Sequence, residues 1–280
     1  MDKKISVIGA GTMGWGIAQV FATAGYSVAL CDRDISFAEK GKSAMSAALQ
    51  KLVGREKIQA SEAERILSNV TPYEINDIPP CELVVEAIFE DMGVKKELFQ
   101  KLEGLLPETA IFATNTSSLS ITELAGCLKD PTRFVGMHFF NPAVLMKLVE
   151  VIGGAHTDEK VVDRVVAISE EIGKTPVRVN EAAGFVVNRL LIPMINEAVA
   201  VLAEGVSSAE DIDTAMKLGA NHPLGPLALG DLIGLDVCLA IMEVLQSETG
   251  DDKYRPHPLL KKMVRAGKPG RKTKEGFFKY

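Results

Sequence analysis

The first half of the chain alternates short apolar runs with stretches of helical periodicity. Strands are predicted over residues 4–9, 26–31, 82–87, 110–114, 134–138, 147–152 and 176–179. Helices are predicted over residues 13–24, 36–53, 61–67, 94–102 and 160–172. Strands that alternate with helices favour a mostly parallel sheet with helices on both faces.

The second half, from Gly184 onward, has helical periodicity and lacks strand-like runs. Helices are predicted over residues 185–204, from 207 to about 218, and over 227–247. Capping-box spacings, a Ser followed three residues later by a Glu, occur at Ser61/Glu64 and Ser207/Glu210. We therefore predict an α/β protein in which residues 1–183 form a doubly wound, mostly parallel N-terminal domain and residues 184–280 a smaller all-α C-terminal domain.

Composition excludes several classes of protein. The 280 residues are 47% hydrophobic and 24% charged, which excludes a disordered chain. The net charge of −6 disfavours binding to nucleic acid, and the apolar stretches are too short or too polar to cross a membrane. The four cysteines have neither CxxC nor zinc-ligand spacing, and the N-terminus lacks a signal-peptide pattern. We expect reduced thiols, no metal site and a cytoplasmic protein.

A glycine-rich turn joins the first predicted strand to the first predicted helix. Its sequence is Gly9-Ala10-Gly11-Thr12-Met13-Gly14. This G-x-G-x-x-G spacing between a strand and a helix is typical of a Rossmann-type dinucleotide site. Gly9 permits the tight turn, Gly11 admits the pyrophosphate, and Gly14 allows close packing of helix and strand. The alternative is a purely structural turn.

Asp32 ends the next predicted strand, 18 residues after Gly14. A carboxylate at this place accepts hydrogen bonds from the adenosine ribose and repels a 2′-phosphate. The sequence therefore predicts NAD rather than NADP as the cofactor. Arg33, the following residue, weakens this discrimination.

His138 and Glu150 are polar residues in two apolar strands. His138 lies at the carboxyl end of its strand, the edge where open α/β sheets bind ligands. Glu150 interrupts the apolar run at 148–152, and a buried carboxylate needs a partner. Together they would form a general base with its orienting group. The alternatives are a hydrogen-bonded core histidine and an edge-strand carboxylate that faces water.

Two further groups of polar residues lie where the pattern suggests a ligand site: one on an apolar helix stripe and one directly after a strand. Asn188 falls on the apolar stripe of its predicted helix, so its amide needs a hydrogen bond, either structural or to a ligand. Asn115 and Ser117 lie in the run Asn115-Thr116-Ser117-Ser118, directly after a predicted strand. The serines could act at the site or cap the next helix.

The chain resembles the L-3-hydroxyacyl-CoA dehydrogenases, and among them most the bacterial 3-hydroxybutyryl-CoA dehydrogenases. The resemblance covers essentially the whole chain and rests on GAGTMGWGIA (9–18), VVEAIFE (84–90), ATNTSSLSIT (113–122), GMHFFNPA (136–143), MKLVEVI (146–152), GFVVNRLLIPMINEA (184–198) and GANHPLGPLALGDLIGLD (219–236). It implies NAD-dependent interconversion of (S)-3-hydroxybutyryl-CoA and acetoacetyl-CoA, with the second domain serving substrate closure and homodimerisation.

The resemblance also implies residue roles. His138 would be the base, Glu150 its orienting partner, Ser117 a donor to the C3 oxygen, and Asn188 a contact of the thioester. The remaining cofactor-binding residues would be those of the loop 9–14 with Asp32, Glu90, Lys95, Asn115, Ser117, Asn141 and Lys272. Coenzyme A would be held by Lys51, Arg55 and Ser117, although Lys51 and Arg55 also suit a solvated helix surface.

One residue departs from the family pattern. Lys274 stands where the family usually has glycine after the Ser/Thr. This departure puts the local loop geometry and the contact of Lys272 in question.

Two other functions remain as alternatives. One is an NAD-dependent dehydrogenase of a free hydroxy acid, of the kind that uses a lysine base on an interdomain helix. The other is a non-catalytic descendant that only binds NAD. The helix predicted at the start of the second domain offers Asn188 and no lysine, while His138 and Glu150 supply a different pair, which argues against the first alternative. The presence of Ser117, His138, Glu150 and Asn188 argues against the second.

Overall fold

A computed structural model describes residues 3–280. The chain forms two compact units, the first ending at Glu181 and the second spanning Ala182–Tyr280. The first unit contains strands and helices and the second contains helices, in agreement with the predicted change from β/α alternation to helices alone.

The first unit is built on one eight-stranded sheet. Its strands are β1 Lys4–Ile8, β2 Ser27–Asp32, β3 Val70–Glu74, β4 Leu83–Glu86, β5 Ile111–Thr114, β6 Phe134–Phe139, β7 Leu148–Gly153 and β8 Thr175–Asn180. The order across the sheet is β3-β2-β1-β4-β5-β6-β7-β8. All neighbours pair in parallel except β6 and β7, which are antiparallel. The prediction of a doubly wound, mostly parallel sheet is confirmed.

Within residues 3–181, six α-helices accompany this sheet. They are α1 Thr12–Thr23, α2 Ile35–Gly54, α3 Ala60–Ser68, α4 Met92–Leu105, α5 Ile121–Ala125 and α6 Glu159–Glu171. Their apolar faces and the buried strands form a continuous core. The sequence pattern did not predict β3, and it gave no bounds for α5, the helix expected after Ser118. β3 is an edge strand that contains Pro72 and is only partly buried, so its pattern is weak.

The second unit consists of helices. They are α7 Val187–Ala203, α8 Ala209–Gly219, α9 Pro226–Ile233, α10 Leu235–Thr249 and α11 Pro258–Arg265. The single helix predicted over 227–247 is wrong, because Gly234 separates α9 from α10 with φ of 106°. Only glycine adopts this backbone conformation readily, so the chain turns there despite continuous apolar periodicity. The pattern also did not predict α11.

Both predicted capping boxes are wrong. Helix α3 starts after Gln59, and the residue at this N-cap makes no side-chain hydrogen bond to the helix. Helix α8 starts after Ser208, one residue later than predicted, and the Ser208 hydroxyl accepts from the backbone N–H of Asp211. Adjacent serines give the same spacing signal in two registers, and the local backbone selects one.

The four cysteines are free thiols. Burial raises the pKa of Cys31 and Cys238 to about 12, so both stay protonated at neutral pH. In residues 3–280, no cluster of three or more His, Cys, Asp or Glu side chains is arranged to hold a metal ion. No helix of the described chain combines the length and apolarity needed to cross a bilayer.

Lys274 has a backbone conformation that favours glycine. Its φ of 62° and ψ of 8° lie in the left-handed region, directly after a 3₁₀ turn at Arg271–Thr273. A side chain in this region costs roughly 1–2 kcal/mol. The loop therefore holds Lys274 under local strain.

We expect Lys274→Gly to raise the free energy of unfolding by about 1 kcal/mol, because relief of strain exceeds the added entropy of the unfolded chain. Urea unfolding checks this. Lys217→Gly is the matched control, because Lys217 lies within α8, where glycine should destabilise by up to ~1 kcal/mol. If Lys274→Gly is no more stable than the parent protein, the inference that Lys274 is strained is wrong.

Candidate active site

The glycine loop connects β1 to α1, and two of its glycines are sterically required. Gly9 has φ of 95°, and a Cβ there would lie 2.7 Å from the Ala87 carbonyl oxygen. A Cβ on Gly14 would lie 1.6 Å from the Gly9 carbonyl oxygen. The Gly9 N–H donates to the Cys31 carbonyl at 2.8 Å, which ties the loop to β2. The turn cannot form with larger residues.

Gly11 opens the loop towards a cavity. A Cβ on Gly11 would meet no heavy atom of residues 3–280 within 4 Å beyond its chain neighbours. The cavity measures about 920 Å³ and is lined by Gly11, Thr12, Asp32 and other residues of the first unit. The first N–H groups of α1 begin at this loop and carry the partial positive charge of a helix N-terminus. These features fit the pyrophosphate and adenosine of a dinucleotide.

Asp32 is fixed beside the loop by its own hydrogen bonds. Its Oδ2 accepts from the Ala10 N–H at 2.8 Å, and its Oδ1 accepts from the Arg33 N–H at 2.8 Å. Each carboxylate oxygen retains a lone pair for a further donor, such as a ribose hydroxyl. The Arg33 guanidinium lies 4.9 Å from the ring centroid of Phe37, and both residues line the cavity.

His138 and Glu150 face each other on neighbouring strands. Their Cα atoms are paired in the antiparallel register of β6 and β7. His138 Nδ1 and Glu150 Oε2 are 2.8 Å apart, and the two residues are 5% and 1% exposed. The structure therefore excludes the alternative of a Glu150 carboxylate that faces water. Because the carboxylate accepts the Nδ1 proton, the Nε2 atom is left as the basic nitrogen.

Asn115 joins the ends of three strands. Its backbone N–H donates to the Glu86 carbonyl at 2.8 Å, and its side-chain oxygen accepts from the Phe139 N–H at 2.8 Å. Phe139 follows His138 in β6. Asn115 thus holds the strand of the histidine against the centre of the sheet, in addition to the cofactor role predicted for it.

The loop after β5 is held by Glu90. Glu90 Oε1 accepts from the Thr116 hydroxyl at 2.6 Å, from the Ser117 N–H at 2.9 Å and from the hydroxyls of Ser117 and Ser118 at 3.3 Å. Ser120, not Ser117 or Ser118, is the N-cap of α5. The capping alternative for these two serines is therefore wrong, and Ser117 stays available as a site residue.

Lys95 lies inside the protein rather than on the cavity surface. Its side chain is 1% exposed, and its ammonium donates to Glu86 Oε1 at 2.6 Å and lies 3.2 Å from Glu90 Oε2. Sequence reasoning did not single out Glu86. The signal was present, since Glu86 follows the apolar run Leu83-Val84-Val85 just as Glu150 interrupts one.

The remaining predicted residues belong to other elements of the two units. Asn141 is exposed after β6, and Lys51 and Arg55 are exposed at the end of α2. In the second unit, Asn188 is half-buried in the first turn of α7, and Lys272 forms an ion pair with Asp236.

Comparison with known proteins identifies the family. The NAD binding domain of the 3-hydroxyacyl-CoA dehydrogenases matches residues 4–182, and the C-terminal domain of the same family matches residues 184–280. The 3-hydroxybutyryl-CoA dehydrogenase of Clostridioides difficile is 55% identical over 280 residues, which is 99% of each chain. The mitochondrial hydroxyacyl-coenzyme A dehydrogenase of Homo sapiens is 42% identical, over 99% of this chain and 91% of its own.

A solved structure agrees with these matches. The crystal structure of (S)-3-hydroxybutyryl-CoA dehydrogenase from Ralstonia eutropha superposes with a TM-score of 0.96 at 44% identity, and the match covers 100% of this chain and 99% of that one. Since the domain matches and the relatives extend over almost the full length, the chain belongs to the 3-hydroxyacyl-CoA dehydrogenase family.

Proposed function

We propose that the chain catalyses the NAD-dependent interconversion of (S)-3-hydroxybutyryl-CoA and acetoacetyl-CoA. The observation that carries this proposal is the buried His138–Glu150 pair, 2.8 Å apart, on a sheet whose first strand leads into a dinucleotide loop. Strands β1, β4, β5 and β6 are parallel, so their carboxyl ends share one edge of the sheet. The names of the full-length relatives support the same substrate.

His138 handles the proton in this reaction. In the oxidative direction, the 3-hydroxyl gives its proton to Nε2 as the bond between that oxygen and C3 becomes a carbonyl. Bound NAD supplies the acceptor for the hydride that leaves C3. The Glu150 carboxylate stabilises the imidazolium that forms. In the reductive direction, the same imidazolium returns the proton to the carbonyl oxygen.

The roles of the remaining site residues belong to the same proposal. The Ser117 hydroxyl, which donates to Glu90 in this structure, would turn its single proton to the C3 oxygen when substrate is bound, and Asn188 contacts the thioester. Lys51 and Arg55, which are both exposed cations, suit the phosphates of coenzyme A. Glu90, Asn115, Asn141 and Lys272 serve the cofactor, whereas the buried Lys95 supports the cofactor side of the site through its ion pair with Glu90 rather than by direct contact.

Cofactor preference provides one prediction. Asp32→Ala should shift the ratio of kcat/KM for NADPH against NADH by roughly tenfold or more towards NADPH, because it removes a charged hydrogen bond to the ribose and the repulsion of a 2′-phosphate. Steady-state kinetics with both cofactors measures the ratio. Asp34→Ala removes a nearby carboxylate that caps α2 and should leave the ratio unchanged. A parent enzyme that already prefers NADPH would mean that Arg33 dominates.

The decisive test of the function is substrate choice. Acetoacetyl-CoA and free acetoacetate should be compared as substrates with NADH under the same conditions. We expect turnover of acetoacetyl-CoA and little of acetoacetate. The reverse preference would favour the free hydroxy acid alternative, and NADH binding without turnover of either would favour the non-catalytic one.

We also infer a homodimer in a reducing, cytoplasmic setting. The second unit exposes large apolar side chains, among them Leu190 at 71% and Leu218 at 82%, which suit an interface. The four free cysteines suit a reducing compartment. Analytical ultracentrifugation tests the dimer, and fractionation of cells that produce the protein tests the compartment.

A further inference from the structure

Glu86 is a fully buried carboxylate with three donors. It ends β4 and is 0% exposed. Oε1 accepts from Lys95 Nζ at 2.6 Å and from the Ile88 N–H at 2.7 Å, and Oε2 accepts from the Thr114 hydroxyl at 2.6 Å. These contacts fix Glu86 between β4, β5 and α4.

Lys95 connects the buried Glu86 to Glu90, which lies nearer the surface. Its ammonium lies between the buried Glu86 and the one-third exposed Glu90, at 2.6 Å and 3.2 Å. Glu90 in turn accepts the N–H and hydroxyl of Ser117. The contacts therefore run without a gap from the core of the sheet to the loop that carries Ser117.

Stability alone does not account for such an arrangement. A buried ion pair loses hydration that its attraction barely recovers, and apolar residues of similar volume often replace it without loss. Rigid support of a loop that carries a site residue does benefit catalysis, because a small misplacement of a reacting group lowers the rate strongly.

We propose that Glu86 is a positioning residue: it anchors Lys95 beneath Glu90 and thereby fixes the loop that presents Ser117. This inference rests on the proposed function, in which Ser117 contacts the substrate oxygen. Glu86 itself touches neither substrate nor cofactor, because its side chain is sealed inside the first unit.

Glu86→Gln tests the anchor, because it keeps the shape and the acceptor for the Ile88 N–H but removes the charge. We expect backbone amide exchange in a peptide that covers Ser117 to quicken at least ~10-fold without any ligand. We expect kcat for acetoacetyl-CoA to fall roughly 10–100-fold. Hydrogen–deuterium exchange with mass spectrometry and steady-state kinetics give the two readouts.

The double variant Glu86→Gln/Lys95→Met addresses the risk that Glu86→Gln alone fails to fold, because this neutral pair leaves no unpaired buried charge.

The same double variant changes the pKa of Glu90. Burial raises the pKa of Glu90, but the Lys95 ammonium and donors from Thr116 and Ser117 hold this pKa below its usual range. The charged groups that face Glu90 are Lys95 and, behind it, Glu86; the loop after β5 contributes hydroxyl and N–H donors. Without Lys95 this pKa rises. The acid limb of turnover should therefore move to higher pH.

Asp213→Asn is the matched control, because Asp213 is a buried carboxylate in the second unit that accepts from two backbone N–H groups. It should lower the melting temperature but leave Ser117 exchange and kcat unchanged. Wild-type exchange and turnover in Glu86→Gln would overturn the proposal. A neutral pair that fails to fold would also overturn it, by assigning Glu86 to stability. Failure of the parent enzyme to reduce acetoacetyl-CoA would instead refute the proposed function.

Discussion

His138→Gln should lower kcat for acetoacetyl-CoA reduction by about 10²–10⁴-fold and leave the Kd for NADH close to that of the parent enzyme. General acid–base catalysis typically contributes this much, which corresponds to roughly 3–5 kcal/mol of barrier at 1.4 kcal/mol per factor of ten. Glutamine keeps a polar side chain in the buried position but can neither take nor return a proton. The dinucleotide loop follows another strand, so NADH binding should survive.

The measurement combines steady-state kinetics with a fluorescence titration of NADH. His156→Gln is the matched control, because His156 is an exposed histidine of the same unit. Retention of more than about a third of kcat by His138→Gln would exclude proton transfer through His138 from the mechanism. A parallel loss of NADH affinity would point to a structural role for the imidazole.

The sequence allowed the catalytic pair to be predicted because each member breaks an apolar strand. A buried charge needs a partner, and the two residues were the polar exceptions in their runs. The antiparallel register that places them opposite each other could not be predicted, because a change of one residue in register would separate them. Strand direction and register depend on contacts across the sheet.

The Glu86–Lys95 pair could not be predicted from the sequence. Glu86 gives the same signal as Glu150, but its partner lies on a helix among other charged residues. Lys95 is 1% exposed, whereas the next residue, Lys96, is 33% exposed and pairs with Glu123 on the surface. Adjacent lysines look alike in the sequence, and the packing of α4 against the sheet decides which one turns inward.

Backbone conformation explains the other differences. Apolar periodicity runs unbroken through Gly234, so the pattern predicted one helix where the structure has two. Lys274 is the opposite case, because a residue that rarely adopts a left-handed conformation has one here. In both places the φ angle is set by the surrounding contacts rather than by the local pattern alone.

Glu150→Gln should lower kcat almost as much as His138→Gln, about 10²-fold or more, with little change in the free energy of unfolding. The register of β6 and β7 keeps glutamine opposite the imidazole. Its amide can donate to Nδ1, which favours the tautomer that carries the proton on Nε2 and so blocks the base. A comparable substitution of the carboxylate in a Ser-His-Asp triad costs ~10⁴-fold for this reason.

A double-mutant cycle on kcat separates this mechanism from a structural role. If Glu150 acts through His138, the variant with both substitutions should be no slower than His138→Gln alone, because residues that act as a unit are not additive. Thermal unfolding of the four proteins tests whether their stability is comparable. Additive losses would mean that Glu150 acts on the reaction independently of His138. A large drop in stability with near-normal kcat would make the buried carboxylate a structural partner of the sheet rather than part of the catalytic pair.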